Sequence, residues 1–266
     1  MTIDVWMQHP TQRFITDPIF ESLRRWVDLP EGELPIEETV SVLDKAGVEK
    51  ALISAWHGPS GALISNAEVN EWTRRFPGRL YGIASVDLSR PMAALDCLNE
   101  AVNEFGFKAL RIVQWLWDKP PTHALYYPLF AECVRLDVPV CLQVGLTGPL
   151  ATSETGRPLH IERVALDFPE LKIICGHIGY PWQQEMIAIA TKFPNVYIDT
   201  SAYKAKRYPP ELVAYLKTNG RNKVMFGSNY PMISPADCLH DLGSLEIPDE
   251  IQRSFLSETA RTIFGL

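Results

Sequence analysis

Three side chains in this sequence combine residue types that serve acid and base chemistry on an acidic small molecule. His177 follows the apolar run LKIICG inside a Gly-His-Ile-Gly stretch, and histidine is the residue best suited to proton transfer near neutral pH. Arg111 lies inside the apolar run KALRIVQW, and Asp199 ends the run VYID. An arginine can hold a substrate carboxylate through two hydrogen bonds, and a carboxylate can orient a histidine. We therefore predict that His177, Arg111 and Asp199 are catalytic.

Each of these residues also has a structural interpretation. His177 could be a buried histidine whose ring nitrogens bond to backbone groups. Arg111 could pair with Asp4 or Asp199, because an arginine is almost never buried without a partner. Asp199 could therefore serve either His177 or Arg111, and the sequence leaves the two roles open.

Amide and aromatic side chains at the ends of other apolar runs predict the walls of a binding pocket. A glutamine or asparagine offers two N–H donors and a carbonyl acceptor, and an indole offers a flat apolar surface. Together they would suit a ring that carries a carboxylate, lactone or enolate group. The predicted substrate-binding residues are Trp6, Gln8, Trp56, His57, Gln143 and Asn229.

The elements that must position these residues are eight apolar runs that alternate with amphipathic stretches. Near-continuous apolar runs indicate strands of a parallel sheet buried on both faces, and the intervening stretches have helix start and stop signals. The predicted strands are 2–8, 49–55, 80–86, 108–115, 138–145, 171–179, 196–202 and 223–231, and the clearest helices are 35–47, 65–78, 127–136 and 181–195. Eight such units favour an α/β fold of the (β/α)8 TIM-barrel type over a doubly wound sheet, and barrel active sites lie at the carboxyl ends of the strands.

Composition narrows the class of protein. The 266 residues include 25 Lys and Arg against 32 Asp and Glu, a net charge of −7, which argues against nucleic-acid or membrane-surface partners. No glycine-rich phosphate loop, secretion signal or long apolar segment is visible, and the five cysteines lack CxxC spacing. We expect a single cytoplasmic domain, 1–266, with reduced cysteines and a small-molecule substrate.

The region 156–216, together with KVMFGSNYP at 223–231, resembles the amidohydrolase-related family that includes aminocarboxymuconate semialdehyde decarboxylase and related ring-cleavage hydrolases. The similarity extends over nearly the whole chain. It implies a (β/α)8 barrel of the metal-dependent hydrolase type, a homodimer, and a mononuclear metal site. In that family the ligands are two histidines of a D-x-H-x-H pattern in the first strand, a histidine ending strand five, and the aspartate of F-G-S-D-Y-P in strand eight. The histidine of G-H-x-G, which is His177 here, acts as general base on metal-bound water.

All four ligand positions implied by the resemblance carry other residues in this chain. Trp6 and Gln8 replace the two histidines of the first strand, Gln143 replaces the strand-five histidine, and Asn229 replaces the aspartate. Indole nitrogen is only a donor, and catalytic metals are held by imidazole, thiolate and carboxylate. We therefore predict no metal and no other cofactor.

These observations support three hypotheses of function. The first is a metal-independent hydrolase that acts on a small cyclic or unsaturated carboxylic compound, such as a lactone or a muconate-like acid, with His177 as the acid/base group. The second is a carboxy-lyase or a hydratase/dehydratase that uses the same pocket. The third is a barrel that binds a ligand without turnover.

Overall fold

Eight parallel strands form a closed barrel in the computed structural model, which describes all 266 residues. The chain has ten strands: β1 (Ile3–Met7), β2 (Lys50–Ser54), β3 (Trp56–Gly58), β4 (Gly61–Ile64), β5 (Leu80–Ile83), β6 (Leu110–Ile112), β7 (Val140–Gln143), β8 (Ile173–Gly176), β9 (Val196–Asp199) and β10 (Val224–Met225). Strands β1, β2 and β5 pair in one sheet, and β6 to β10 pair in order in another. Backbone hydrogen bonds join the two sheets on both sides, from Arg111 N to Ala84 O and from Val5 N to Phe226 O. The predicted (β/α)8 barrel is confirmed.

Helices connect the barrel strands and pack around them. They are α1 (Gln12–Thr16), α2 (Ile36–Lys45), α3 (Asn66–Arg75), α4 (Pro91–Asn103), α5 (Gln114–Trp117), α6 (Tyr127–Arg135), α7 (Leu159–Asp167), α8 (Gln183–Lys192), α9 (Pro210–Leu216), α10 (Pro235–Leu239), α11 (Asp249–Arg253) and α12 (Thr259–Phe264). Helix α3 begins with a full capping box between Ser65 and Glu68, which satisfies free N–H groups of its first turn. The four helices predicted most clearly from the sequence are α2, α3, α6 and α8. None of the twelve has the length and apolar composition that crossing a bilayer requires.

The core has two parts, one inside the barrel and one outside it. Inside, single apolar side chains from most strands fill the lower barrel, and Ile263 and Phe264 of α12 pack against them. Outside, a larger cluster fills the space between the strands and the helices. Because the lower barrel is solid, an open site can form only above it, at the carboxyl ends of the strands.

All eight predicted strands are longer than the observed ones, and three of them run into segments that contribute to the site. The strand predicted at 108–115 stops at Ile112, and Gln114 and Trp115 start α5. The strand predicted at 223–231 is reduced to Val224–Met225. The strand predicted at 171–179 stops at Gly176, because the next residue turns into the left-handed region. Apolar content alone does not reveal these ends, since the segments that follow are buried as well.

A hairpin absent from the sequence-based prediction follows β2. Strands β3 and β4 pair antiparallel around the tight turn Gly58-Pro-Ser-Gly61, where Gly61 has φ of +115°. The alternation of side chains along β3 sends neighbouring residues to opposite sides. Trp56 is accordingly buried, whereas His57 is only half-buried.

Candidate active site

A cavity of about 240 Å³ opens at the carboxyl ends of the barrel strands. Most of its lining is apolar or aromatic, and three polar side chains from β7, the end of β8 and the segment after β10 interrupt it. These three residues, which we call the cavity wall, are Gln143, His177 and Asn229. The other lining residues are Phe20, Leu23, Trp26, Val27, Trp56, Trp115, Leu146, Gly148, Pro149, Ala202, Tyr203, Met232 and Ile233. A concave apolar site with a few convergent polar groups is the usual form of a small-molecule pocket.

The backbone around this cavity is strained at the ends of three neighbouring strands. His177 and Ile178 after β8, Ala202 after β9 and Asn229 after β10 all have φ between +54° and +72°. Non-glycine residues in the left-handed region cost about 1–3 kcal/mol each and cluster at functional sites. Two of these residues, His177 and Asn229, belong to the cavity wall. Their left-handed backbone therefore accompanies side chains that face the cavity.

One ring nitrogen of His177 contacts a protein group, and the other is unpaired. Its Nδ1 lies 2.7 Å from Ser201 Oγ, while its Nε2 has no hydrogen-bond partner in the protein. Burial, and secondarily the positive charge of Arg111, lower the pKa of His177 to about 3. The imidazole is therefore neutral at physiological pH.

Asp199 reaches His177 only through Ser201. The Asp199 carboxylate accepts a 2.8 Å hydrogen bond from the Ser201 backbone N–H, and its side chain is fully buried. Burial raises the pKa of Asp199 to about 7, against the lowering effect of hydrogen bonding by Ser201 and of the charge on Arg111. Residues 199, 201 and 177 thus form a chain that ends at the cavity.

Gln8 is the centre of a hydrogen-bond network below the cavity. Its Oε1 accepts from Trp56 Nε1 at 3.2 Å and from Arg111 Nη1 at 3.1 Å. Its Nε2 donates to Tyr230 O at 2.7 Å and to Asn229 Oδ1 at 3.2 Å. Indole and guanidinium nitrogens can only donate, so they fix which end of the Gln8 amide is the oxygen. The Asn229 amide is fixed in turn, with its Nδ2 left without a protein partner.

The same logic orients Gln143. Its Oε1 accepts from Trp115 Nε1 at 2.8 Å, and its Nε2 has no partner in the protein. Its backbone carbonyl accepts from Gln114 Nε2. Two amide NH2 groups and one imidazole nitrogen are therefore the unpaired polar groups of the cavity wall.

Below the wall lies a set of side chains with almost no exposure, which we call the buried layer: Asp4, Trp6, Gln8, Arg111 and Asp199. The guanidinium of Arg111 lies 3.8 Å above the Trp6 ring centre, and the Trp6 ring meets the His177 ring edge to face at 5.2 Å. A Cβ on Gly176 would lie 2.7 Å from the Trp6 indole, so this position after Cys175 must be glycine to admit the ring. The indole thus takes up space at the top of the barrel interior.

The buried layer carries charges that are close but not directly paired. Arg111 makes no salt bridge with Asp4 or Asp199, and its Nε and Nη2 have no hydrogen-bond partner. Asp4 Oδ1 accepts from the backbone N–H groups of Trp6 and Ser228, which ties β1 to the segment after β10. Burial raises the pKa of Asp4 to about 6 and lowers the pKa of Arg111 to about 10.

The structure brings together eight of the nine residues proposed from the sequence, at two depths. Trp56, Gln143, His177 and Asn229 line the cavity, and Trp6, Gln8, Arg111 and Asp199 lie beneath it. His57 stands apart: its ring stacks on Trp117 at 6.4 Å and faces a separate cavity with Asp87.

Two contributors to the site were not proposed from the sequence. Ser201 is fully buried behind His177, and its hydroxyl lies within hydrogen-bond distance of the ring. Trp115 lines the cavity and orients Gln143. Both stand within two or three residues of a strand end, and that position was the available signal.

The residues at the four implied ligand positions do not fit a divalent metal. Gln8 Oε1 already accepts two hydrogen bonds, Trp6 offers no lone pair, and Asn229 Oδ1 accepts from Gln8. No group of three His, Cys, Asp or Glu side chains that could hold a metal ion occurs anywhere in the chain. The donor set is neutral and largely committed to internal bonds, whereas transition metals prefer imidazole, thiolate or carboxylate.

Several solved structures share the fold of this chain. An uncharacterized TIM-barrel protein from Bordetella bronchiseptica is 21% identical, with a TM-score of 0.85 and coverage of 99% of this chain and 98% of that chain. A 5-carboxyvanillate decarboxylase variant from Novosphingobium aromaticivorans, with bound manganese, is 17% identical, with a TM-score of 0.77 and coverage of 100% and 97%. A probable 2-pyrone-4,6-dicarboxylic acid hydrolase from Acinetobacter baumannii, with citric acid bound, is 15% identical, with a TM-score of 0.70 and coverage of 100% and 99%. At these identities the likeness establishes the fold. No curated protein matches the sequence.

The sequence profile of the amidohydrolase family matches residues 3–266, which is almost the full length of the chain. The resemblance inferred from the strand-end motifs is therefore confirmed, and the chain belongs to the amidohydrolase family.

Proposed function

We propose that this protein is a metal-independent hydrolase that opens a small cyclic or unsaturated carboxylic compound, such as a lactone or a muconate-like acid. The observation that carries the proposal is the set of unpaired groups on the cavity wall. An imidazole nitrogen and two amide NH2 groups face one mostly apolar space. That set matches the needs of acyl hydrolysis, a base for water and donors for a developing oxyanion.

In the proposed reaction, His177 Nε2 takes a proton from water as the water oxygen attacks the ring carbonyl. The Ser201 hydroxyl accepts a hydrogen bond from Nδ1, which leaves the lone pair of the imidazole on Nε2, and Asp199 holds Ser201 in place through its backbone N–H. The N–H groups of Gln143 and Asn229 bind the oxyanion, and the ring C–O bond then breaks with return of the proton to the leaving oxygen.

The low pKa of His177 sets limits on the substrate. A ring nitrogen with a pKa of about 3 is a weak base, so the acyl group must be activated, as in an enol lactone. A substrate carboxylate beside the imidazole would raise that pKa again by direct charge attraction. In this proposal, His177 becomes an effective base only when an anionic substrate is bound.

Arg111 has a different part in this proposal from a direct clamp on the substrate. Its side chain is 1% exposed and lies behind Trp6 and Gln8. We propose that its charge acts on the bound anion through the buried layer and that its hydrogen bond to Gln8 keeps the donors of Asn229 in the cavity.

The two free amide NH2 groups of the cavity wall favour hydrolysis over a carboxy-lyase reaction. They suit the oxyanion of acyl transfer, whereas decarboxylation needs a proton delivered to carbon, and the buried imidazole of His177 is neutral unless an anion lies beside it. The 5-carboxyvanillate decarboxylase variant with a similar fold contains bound manganese, whereas we propose that this chain works without a metal. Its five free cysteines suit the reducing cytoplasm, where we propose that it acts.

The test is an assay of chelator-treated protein against lactones, pyrones and unsaturated or aromatic acids. Ring opening that persists after metal removal and disappears in a His177→Asn variant is the expected result. Release of CO2 would favour the lyase, and tight binding without turnover would favour a binding protein. Activity that needs added zinc or manganese would refute metal independence. Light scattering of the same preparation tests the homodimer, which stays a prediction.

A further inference from the structure

The buried layer contains a permanent cation in contact with two of the four positions where the family pattern places metal ligands. The guanidinium of Arg111 donates to Gln8 Oε1 at 3.1 Å and lies 3.8 Å from the Trp6 ring centre. At these separations no atom fits between the guanidinium and either side chain. Its side chain is 1% exposed, so the charge belongs to the interior and not to the solvent.

The guanidinium is the one basic group of the buried layer, and two buried carboxyl groups lie near it. The second carboxylate oxygens of Asp4 and Asp199 are buried without partners, and both carboxylates attract Arg111. The strand-eight position, where the family pattern has an anionic ligand, is the neutral Asn229. A metal bound to the Gln8 position would lie no more than about 5 Å from Nη1, given metal–ligand bonds near 2.1 Å. Two positive charges at that separation in a poorly screened interior repel strongly.

We propose that the Arg111 guanidinium takes the place of a divalent metal ion as the resident cation of this barrel, so that Arg111 and a bound metal exclude one another. The inference rests on the metal-independent function proposed above and deepens it. On this proposal, the replacement of the metal ligands and the burial of the Arg111 cation depend on each other. Restoring the ligands without removing the cation is expected to restore little metal affinity.

The test restores the four donors by Trp6→His, Gln8→His, Gln143→His and Asn229→Asp and measures zinc affinity by competition with a chromogenic chelator. In this restored background we compare natural Arg111 with Arg111→Met, which keeps an unbranched apolar stem and removes the charge, and with Arg111→Lys, which keeps the charge. The Arg111→Met version is expected to bind zinc at least about 100-fold more tightly than the version with Arg111. The zinc affinity of the Arg111→Lys version is expected to stay within about 10-fold of that of the version with Arg111.

The matched control is Arg157→Met, which removes a partly exposed arginine paired with Glu185 and is expected to change zinc affinity by less than about threefold. Equal affinities with and without Arg111 would overturn the proposal, and so would tight binding by the Arg111→Lys version. If the fourfold background does not fold, Trp6→His with Gln8→His is used alone, with an expected Arg111→Met effect of about 10-fold and equality again overturning the proposal. Zinc affinity is measured without substrate, so this result is independent of whether the natural chain turns over a lactone.

Discussion

The cavity wall and the buried layer lie next to each other and use their amide side chains in opposite ways. Gln143 and Asn229 each commit the oxygen of the amide to a protein donor and keep the NH2 group for the cavity. Gln8, one layer deeper, commits both ends of its amide to the protein. His177 keeps one ring nitrogen free, whereas Arg111 has no route to the cavity.

The difference shows that the deeper layer determines what the wall can offer. Trp56 and Arg111 can only donate, so they fix the Gln8 amide, and Gln8 then fixes Asn229. Replacing a wall residue should therefore affect chemistry with little loss of stability. Replacing a member of the buried layer should affect stability first, because it leaves charged or polar groups buried without partners.

The largest expected effect is the loss of turnover on replacing His177. His177→Asn removes the base but suits the left-handed backbone, since asparagine tolerates positive φ. We expect turnover to fall by about 10²–10⁴-fold, with thermal stability little changed. Steady-state kinetics with thermal unfolding measures both. The matched control is His57→Asn, which lies outside the cavity and should retain full activity. An active His177→Asn protein would show that His177 is not the base.

The next largest effect is on stability, from replacing Gln8. Gln8→Leu leaves the Arg111 guanidinium without its acceptor and the Trp56 N–H without a partner. We expect the free energy of unfolding to fall by about 3–5 kcal/mol. Adding Arg111→Met should recover at least about 2 kcal/mol of that loss in a double-mutant cycle by urea unfolding. The exposed Gln184→Leu control should cost less than about 0.5 kcal/mol; additive losses at positions 8 and 111 would show that the two do not act as a unit.

Asp199 should make stability and turnover respond to pH in opposite directions. Its folded-state pKa of about 7 lies above its ordinary value of 3.8, so the folded protein holds this proton more tightly than the unfolded chain. This contribution to stability is present below about pH 4 and is lost as pH rises through 7. We expect Asp199→Asn to gain about 1–3 kcal/mol relative to the natural chain between pH 5 and 8. Turnover of the natural chain should rise through pH 7 as Asp199 ionises.

Unfolding curves of both proteins at several pH values test the first expectation, and a pH–rate profile tests the second. His9 and His177 affect the pH dependence of stability in the opposite direction to Asp199, because burial lowers their pKa values to about 4 and 3. Their contribution to stability grows as pH rises from 4 to 6.5, so only the difference between the two proteins isolates Asp199. An identical pH dependence in both proteins would contradict the raised pKa.

The smallest expected effect comes from Trp115. Trp115→Phe removes the N–H that fixes Gln143 Oε1 but keeps an aromatic wall. The freed amide can turn its oxygen toward the cavity, so we expect affinity for an anionic ligand to fall by about three- to tenfold at a stability cost of about 1 kcal/mol. Calorimetric titration with a hydrolysis product measures the affinity. An unchanged affinity would mean that Gln143 is not held by Trp115.

The strand-end residues could be predicted because parallel strands carry a plain sequence signal. Continuous apolar runs identified all eight barrel strands, and barrel geometry sends residues such as His177 and Asn229 to one end. The hairpin at Trp56 and the turn into α5 at Gln114 escaped prediction, because both lie in short buried segments where strand, turn and helix share one composition.

The sequence by itself determined the family, the barrel and the replacement of the four ligand positions, since each is written in residue types and their spacing. Only the tertiary structure decided which site residues reach the cavity. Arg111 pairs with Cys141, and Gln143 lies only two residues further along the same neighbouring strand, yet Arg111 is buried under Trp6 and Gln143 faces the pocket. Depth and the direction of each amide depend on partners far along the chain, such as Trp56 for Gln8 and Ser201 for His177, and those partners meet only when the barrel closes.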